Sequence, residues 1–281
     1  MKNTELHTHS YYSDGQISPR QLVRLAKKRK IKNLALTDHN SIKGVKEAIK
    51  EGKKIGVNII PAVEVRCDKG EVLGYFVDIN DKVLISQLKK DSKKVQDEVE
   101  DWCKKLKEKG YNIEFKEIWK KYPKARGNIN RFYPLYELSL KGYGTTRKIA
   151  KESKNKKIKG GKIKKMSISS VIRLIKSAGG VPVLAHPWID DEVLKGKNFK
   201  KYIKVGLKGI EINNGDRVPL RSVKNYKRMK NLAKRYKLIM TSGSDYHGEK
   251  LVKQMPGNHN LGVNNCDEKI VEELRKLSTI K

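Results

Sequence analysis

Cysteine is scarce and long apolar runs are absent from this 281-residue sequence. The three cysteines, Cys67, Cys103 and Cys266, lie far apart without a C-x-x-C pair, so neither a disulfide framework nor a thiolate zinc site is indicated. Any metal must therefore be held by histidines and carboxylates. No stretch approaches the roughly 18 apolar residues of a membrane span, and the N-terminus has no apolar signal core. We therefore expect a soluble cytoplasmic protein with no membrane partner.

Acidic residues are outnumbered, because 31 Asp and Glu face 64 Lys and Arg, which gives a formal net charge of +33. Such an excess is consistent with binding of a polyanion, with attraction to a membrane surface, or with the lysine-rich composition of some thermophile proteins. Composition alone does not choose among these explanations. Residues 85–165 contain 25 basic and 10 acidic residues, so the positive charge is densest in this segment.

The order of apolar runs and helical patterns predicts an α/β fold with a largely parallel sheet or barrel. A helix is expected to begin at Ser18-Pro19, where a capping residue precedes proline. The βα rhythm stops after Asp81, helical spacing follows, and the rhythm resumes near residue 166. We therefore predict two parts of one barrel, residues 1–84 and 166–281, separated by an inserted basic helical domain at residues 85–165. The predicted strands are Thr4–Thr8, Leu34–Thr37, Asn58–Ala62, Val72–Val77, Val181–Ala185, Gly209–Ile212 and Leu238–Ser242.

Five of the six histidines lie at or just beyond the end of a predicted strand, each near a carboxylate or another histidine. His7 and His9 are two residues apart on the first predicted strand, so their imidazoles share a face and can reach one metal. Parallel strands of α/β folds place functional sites at their carboxyl ends. Any one of these signals alone is commonly structural, but their coincidence at strand ends predicts a metal centre.

The same segments form a series of motifs. In chain order they are H-T-H-S-x-x-S-D-G at His7–Gly15, L-T-D-H-N at Leu36–Asn40, P-x-x-E at Pro61–Glu64, A-H-P at Ala185–Pro187 and G-S-D-x-H-G at Gly243–Gly248. This series resembles the polymerase and histidinol phosphatase (PHP) superfamily, and within it the branch of nucleoside 3′,5′-bisphosphate phosphatases and 5′-to-3′ exoribonucleases. The resemblance implies a distorted (β/α)7 barrel with an inserted helical domain. It also implies two or three divalent metal ions, with Mn²⁺ expected first and Fe²⁺ or Zn²⁺ as alternatives.

The resemblance assigns ligands to two of these metals. His7, His9, Glu64 and Asp245 would hold the first metal, and Glu64 would also bridge to the second. His186 would be a ligand of the second metal.

The remaining assignments include one departure from the family pattern. Glu71 stands where many relatives have a histidine, and a carboxylate there is expected to change the metal preference or to weaken the second site. Asp14, His39 and His247 would hold the third metal, and Asp14 or His247 would assist proton transfer. Asp38 would orient a histidine through its free ring nitrogen.

The inserted segment offers candidate substrate-binding residues. Arg126 and Arg131 are the basic groups nearest to the place where relatives carry an R-P-H turn, and guanidinium groups there would bind a substrate phosphate. Tyr133 and Tyr136 would either stack a base or pack the small core of the insertion.

Two further polar residues lie outside these motifs. Glu211 ends a predicted strand and is expected to support that strand end. His259 lies in a polar loop and is predicted to be a surface residue.

A metal-dependent phosphoesterase is therefore the predicted function, acting through activated water on nucleotides or short RNA, including 3′,5′-nucleoside bisphosphates and 5′-phosphorylated oligoribonucleotides. The absence of a Gly-x-Ser-x-Gly elbow, a Walker loop and a reactive-cysteine motif agrees with chemistry that needs no nucleophilic side chain. A small-metabolite phosphatase, such as a histidinol phosphatase, is one alternative. A non-catalytic nucleic-acid-binding protein is another. No obligate protein partner is inferred.

Overall fold

Eight β-strands form the centre of the protein in a computed structural model that describes residues 2–189, 192–214, 223–252 and 259–280. The strands are β1 Lys2–Glu5, β2 Asn33–Leu36, β3 Asn58–Arg66, β4 Glu71–Tyr75, β5 Val181–Ala185, β6 Gly209–Asn214, β7 Ile239–Gly243 and β8 Cys266–Asp267. The helices are α1 Pro19–Lys28, α2 Val45–Ile55, α3 Lys82–Glu108, α4 Phe115–Lys121, α5 Phe132–Leu140, α6 Thr146–Asn155, α7 Ile168–Ser177, α8 Gly196–Val205, α9 Val223–Arg235, α10 Glu249–Val252 and α11 Lys269–Leu277.

The strands lie in one sheet in the order β7-β6-β5-β4-β3-β2-β1-β8. The pairs β1·β2, β2·β3, β5·β6 and β6·β7 are parallel, whereas β4 runs antiparallel to both of its neighbours. The sheet curls into a nearly closed barrel, and its end strands β7 and β8 meet where Ser242 N lies 3.1 Å from Cys266 Sγ. The predicted α/β barrel is confirmed. Its seven longer strands are joined by a two-residue antiparallel eighth, β8, which is too short to leave a sequence pattern.

Local signals explain where several elements begin and end. Ser18 caps α1 in a capping box with Gln21, and Pro19 follows at the first helical position, as predicted. β1 ends at Glu5, whereas the predicted strand ends at Thr8, because the backbone of the following residues forms hydrogen bonds with other loops. Thr8 N donates to Thr37 Oγ1, and His9 N donates to the Tyr246 carbonyl. The segment that carries the H-x-H motif is therefore extended but lies beyond the strand.

The helices α3–α6 lie between β4 and α7 in the chain, and α3 begins three residues before the segment predicted to be inserted. Their buried apolar side chains, including Trp102, form a cluster of their own. Helix α3 is shared, because Leu84 and Leu88 pack into a barrel cluster whereas Val95 and the residues beyond it pack into the helical cluster. The domain limits at residues 85 and 165 stay a prediction, and the first lies inside α3. None of the helices in the described ranges is both long and apolar enough to cross a membrane.

Candidate metal centre

His7 and His9 are fully buried at the carboxyl end of β1. Their rings lie 5.2 Å apart between centroids, which agrees with the prediction that they share a face. The neighbouring strand must pass very close, since a Cβ added at Gly243 would lie 2.4 Å from His7 Cβ. Glycine at position 243 therefore permits β7 to approach the H-x-H segment.

The first group of potential ligands consists of His7, His9, Glu64 and Asp245. His9 Nε2 lies 3.0 Å from Asp245 Oδ1 and 3.4 Å from Glu64 Oε2. His7 Nε2 lies 3.2 Å from Glu64 Oε2 and 3.4 Å from Asp245 Oδ1. Four ligands at the usual distance of about 2.0–2.2 Å from one divalent ion would be separated from each other by roughly 3.0–3.6 Å. The spacing of this group therefore fits a metal ion.

A second group contains His9, Asp14, His39 and His247. His247 Nε2 lies 3.3 Å from Asp14 Oδ1, and His39 Nε2 lies 3.6 Å from Asp14 Oδ2. His9 Nδ1 is 4.0 Å from Asp14 Oδ1, so His9 lies between this group and the first. The three residues predicted for a third metal are thus brought together, and the structure adds His9 to them.

The third group joins His39, Glu64 and Glu71, with His186 beside it. His39 Nδ1 lies 2.9 Å from Glu64 Oε2, and His186 Nε2 lies 3.0 Å from the other carboxylate oxygen, Glu64 Oε1. Glu71 Oε2 lies 3.3 Å from His186 Nε2. Glu64 therefore belongs to both the first and the third group, as a ligand that bridges two metals must. Glu71 lies close enough to His186 and Glu64 to be a ligand of the same metal.

Unsatisfied atoms give a second test of whether these residues fit metal ions. Asp14 Oδ1, His39 Nδ1 and Glu64 Oε2 are buried and form no hydrogen bond of suitable geometry within the described part of the chain. Buried polar atoms of this kind are costly unless another partner satisfies them. A donor set of imidazoles and carboxylates suits Mn²⁺, Fe²⁺ or Zn²⁺. The fit is therefore good both in spacing and in chemistry.

In two histidines a hydrogen bond from Nδ1 leaves Nε2 facing the three groups of potential ligands, which together we call the cluster. Glu211 Oε1 accepts a hydrogen bond of 3.0 Å from His7 Nδ1, and the Asp245 carbonyl accepts one of 2.7 Å from His247 Nδ1. Each ring therefore presents Nε2 to the cluster. Glu211 Oε2 also accepts from the His186 backbone N–H at 2.8 Å. Glu211 therefore supports a strand end, as predicted, and it also orients the His7 ring. The sequence did not reveal this second role.

Electrostatics keep the carboxylates ionised. Burial alone would raise the pKa of Glu64 and of Asp245, but the charge of His7 and other nearby histidines holds both pKa values well below the usual range. Burial and the neighbouring histidines lower the pKa of His9 to about 3. At neutral pH the first group therefore contains ionised carboxylates and a neutral His9, which are the states that bind metal. Burial alone would lower the pKa of His7, but Glu64 and Glu211 raise that pKa well above its usual value, so His7 must lose a proton to a metal ion.

We expect the metal affinity to rise with pH between pH 6 and pH 9. Burial alone would lower the pKa of His186 and of His247, but adjacent carboxylates, chiefly Glu64 for His186 and Asp245 for His247, raise each pKa to about 9. A metal ion must displace these protons, so affinity increases until the pH passes the raised pKa. Manganese titrations at pH 6, 7, 8 and 9, with proton release followed by an indicator dye, measure this dependence. An affinity that is constant across that range would contradict it.

Asp38 is surrounded by serines rather than by imidazole. Its carboxylate accepts hydrogen bonds of 2.7 Å from Ser10 N, Ser10 Oγ and Ser13 Oγ. Ser13 Oγ in turn lies 3.4 Å from His9 Nδ1. Burial raises the pKa of Asp38 to about 6. The expected link between Asp38 and a histidine is therefore indirect and passes through Ser13.

A cavity of about 850 Å³ lies between the cluster and the helices α3, α5 and α6. Asp14 and His247 face it from the cluster side. Four cationic side chains, from different parts of the chain, also line it: Arg66, Arg131, Arg147 and Lys165. A ligand in this cavity would thus meet potential metal ligands and basic groups together.

The two arginines predicted to bind phosphate differ in position. Arg131 lines the cavity, but its guanidinium pairs with Glu98 and lies 5.0 Å from the Trp102 ring centroid. Arg126 is not among the lining residues, because its Nε donates to the Trp119 carbonyl at 2.9 Å and its guanidinium covers the Trp119 ring. Both side chains are therefore held by partners within the helical segment.

Tyr133 and Tyr136 of α5 were predicted either to stack a base or to pack the core of the insertion, and the two side chains differ in this respect. Tyr133 is buried and its hydroxyl donates to the Ser13 carbonyl, so it packs the contact between α5 and the barrel. Tyr136 is half-buried and stacks on Phe132 with 5.5 Å between ring centroids. Base stacking by Tyr136 stays a prediction.

Three residues near the cluster were missed or misplaced by sequence reasoning. Arg66 donates to Asp14 Oδ2 at 3.2 Å, and Asn130 Nδ2 donates to the same oxygen at 2.7 Å. The prediction of a surface position for His259 is wrong. His259 is fully buried, and its Nδ1 donates to the Ser244 carbonyl at 2.7 Å, which braces the loop that carries Asp245. Its polar sequence neighbours gave no sign of this role.

Comparisons with known proteins agree with this geometry. Residues 5–95 match the family model described as the PHP domain. The chain is 27% identical to a phosphoribosyl 1,2-cyclic phosphate 1,2-diphosphodiesterase of Eggerthella lenta, over 87% of this chain and 94% of that protein. It is 27% identical to a 5′-3′ exoribonuclease of Haemophilus influenzae, over 88% and 90% of the two chains. It is 26% identical to a 3′,5′-nucleoside bisphosphate phosphatase of Chromobacterium violaceum, over 88% of each chain.

A solved structure supports the assignment of the fold. The protein superposes with a TM-score of 0.84 on a Bifidobacterium adolescentis protein that is provisionally described as a metal-dependent phosphoesterase. The two chains are 24% identical, and the match covers 98% of this chain and 96% of the other. The family model and the three full-length relatives confirm the resemblance drawn from the sequence motifs.

Proposed function

The chain carries a PHP domain and is a metal-dependent phosphoesterase, and from that premise we propose that it hydrolyses phosphate esters of nucleotides or short RNA. The observation that carries this proposal is the position of the histidine and carboxylate groups beside a cavity that Asp14, His247 and basic side chains line. Relatives named for nucleoside bisphosphates and for RNA align over most of the chain, which supports the same substrate class.

Two or three divalent ions, Mn²⁺ first among them, would be held by the three groups. The first would take His7, His9, Glu64 and Asp245, and Glu64 would reach the second ion with His186 and Glu71. When bound, such ions lower the pKa of water towards neutrality and neutralise charge on the phosphoryl group.

Asp14, His39 and His247 would hold a third ion. In its absence His247 would act as an acid, because its pKa of about 9 keeps a proton on Nε2, 3.3 Å from Asp14 Oδ1 and facing the cavity. That proton could be passed to the leaving oxygen of the ester.

The rest of the cavity suits the remainder of a nucleotide. Arg147 and Lys165 lie on its wall and form no ion pair with the described residues, so they can bind a second phosphate. Phe132, Leu135 and Ile163 supply apolar surface for a base or ribose. A small-metabolite phosphatase would need none of these outer groups.

A substrate panel on metal-analysed, manganese-loaded protein tests the proposal. We expect release of phosphate or mononucleotides from adenosine 3′,5′-bisphosphate and from 5′-phosphorylated oligoribonucleotides. Histidinol phosphate and a ribose cyclic phosphate serve as competing substrates. Turnover of either competitor with neither nucleotide substrate hydrolysed would overturn the proposed substrate class.

Lysines beside the cavity provide a test of oligonucleotide use. A neighbouring groove is lined by lysines of residues 156–162, and Gly161 borders both the groove and the cavity. We expect the combined substitutions Lys157→Gln, Lys159→Gln and Lys162→Gln to raise the KM for a 5′-phosphorylated oligoribonucleotide by about tenfold at low salt, because each removes a phosphate contact. The KM for adenosine 3′,5′-bisphosphate should change little.

The matched control removes three exposed lysines from a different cavity, by Lys27→Gln, Lys32→Gln and Lys53→Gln. Both variants lose the same net charge. Equal effects of the two variants on the oligoribonucleotide KM would show that only the overall charge matters.

A further inference from the structure

Arg66 is a half-buried cation at the edge of the candidate metal centre. It follows Glu64 by two residues at the end of β3, and its side chain is only 16% exposed. Its Nη2 donates to Asp14 Oδ2 at 3.2 Å and its Nε donates to Glu71 Oε1 at 3.3 Å. The guanidinium therefore joins a carboxylate of the second group of potential ligands to a carboxylate of the third.

The shape of this contact requires arginine. A planar guanidinium presents five N–H donors in a fixed fork, whereas a lysine ammonium is a single point on a flexible stem. The bonds to Asp14 and Glu71 use two of these donors. Arg66 also lines the 850 Å³ cavity, so further donors can reach a molecule bound there.

Arg66 differs from the other cations of this cavity. Arg131 is 49% exposed and pairs with Glu98, and Arg147 and Lys165 are exposed. Arg66 alone among these four contacts the potential metal ligands directly. Its charge is thus the one nearest to the place where a phosphoryl group would meet the cluster.

We propose that Arg66 binds a non-bridging oxygen of the phosphoryl group under attack while it stays hydrogen-bonded to Asp14 and Glu71. A phosphate approaching these carboxylates would otherwise meet like charge, and the guanidinium offsets that repulsion. Guanidinium–phosphate contacts combine charge with directed hydrogen bonds, and they are strong where the arginine is already oriented. The proposal rests on the phosphoesterase activity of the proposed function but not on its nucleotide substrates.

The test uses the full chain loaded with manganese, a generic aryl phosphate as substrate and inorganic phosphate as inhibitor. For Arg66→Met we expect kcat/KM to fall by about 10²-fold or more and the inhibition constant of inorganic phosphate to rise about tenfold or more. The manganese content, measured by mass spectrometry of the desalted protein, should remain that of the wild type. Arg173→Met, which alters an exposed arginine of α7, is the matched control and should leave all three values unchanged.

Arg66→Lys keeps the charge and guards against a folding defect in the first variant. We expect it to retain manganese and the unfolding temperature of the wild type, and to bind inorganic phosphate several-fold more weakly, because an ammonium cannot contact both carboxylates and a phosphate in the same geometry. Loss of manganese with unchanged phosphate inhibition in either variant would overturn the proposal, since Arg66 would then only support the ligands. Because the substrate is generic, this result is independent of whether nucleotides are turned over.

Discussion

Replacing Asp245 by asparagine is expected to lower kcat/KM for phosphate-ester hydrolysis by about 10³-fold, which corresponds to several kcal/mol of lost transition-state stabilisation. The Asp245 carboxylate contacts His7 and His9 and carries charge that a bound cation needs. Asparagine keeps the shape but removes the charge. Asp245 also has a φ of 54°, and asparagine is among the residues that tolerate this left-handed conformation best. The variant should therefore fold normally.

Turnover of an aryl phosphate by manganese-loaded protein measures this effect, and the thermal unfolding temperature of metal-free protein checks the fold. Asp267→Asn is the control, because Asp267 is exposed and its side chain accepts a hydrogen bond from Lys269 N that asparagine can also accept. Activity of Asp245→Asn within tenfold of the wild type would contradict a ligand role for this carboxylate.

Removal of metal is expected to abolish activity and to lower the unfolding temperature by several degrees. Ions that bind the native centre and not the unfolded chain stabilise the fold by about 4 kcal/mol at a thousand times their Kd. For a chain of this size each kcal/mol corresponds to roughly 2–4 °C. Scanning calorimetry with chelator and then with excess Mn²⁺ measures the shift, and activity should return with the ion.

The Asp245→Asn variant separates specific binding from a general effect of divalent ions. Its unfolding temperature should rise less on addition of Mn²⁺ than that of the wild type. An identical rise in both proteins, or none in the wild type, would argue against a manganese site built on the first group.

The parts of the site that were predictable from sequence are those fixed by strand geometry. His7, His9, His186 and Asp245 follow strands of one barrel, and Glu64 lies in β3 near its carboxyl end. Parallel strands bring their carboxyl ends to one edge. An H-x-H pair needs only the alternation of side chains to place two rings on one side. The alternation of side chains along a strand, together with the assumption of a parallel barrel, was therefore sufficient to predict that these residues lie together.

The parts that were not predictable depend on contacts between distant segments. Asn130 reaches Asp14 only because α5 packs over the barrel, and no local pattern encodes that contact. His259 is buried by tertiary packing although its sequence neighbours are polar. Arg126 contacts the Trp119 carbonyl and ring instead of the cavity, and its position in the sequence does not reveal this contact. Motifs and composition therefore could not predict contacts between distant segments or the partners of side chains within the helical segment.

Helix α3 imposes a mechanical condition on how the cavity can change its width. It is continuous from Lys82 to Glu108, and it is anchored to the barrel by Leu84 and Leu88 and to the helical segment by side chains from Val95 onward. An uninterrupted helix resists bending, so the two bodies are kept at a fixed separation along this side. The segment that returns the chain to the barrel lies against the same helix, because Trp102 Nε1 donates to the Ile158 carbonyl at 3.2 Å and Lys94 Nζ donates to the Lys164 carbonyl at 3.4 Å. Helix α3 thus joins the barrel to the helical segment and also fixes the lysine-rich return segment beside the cavity.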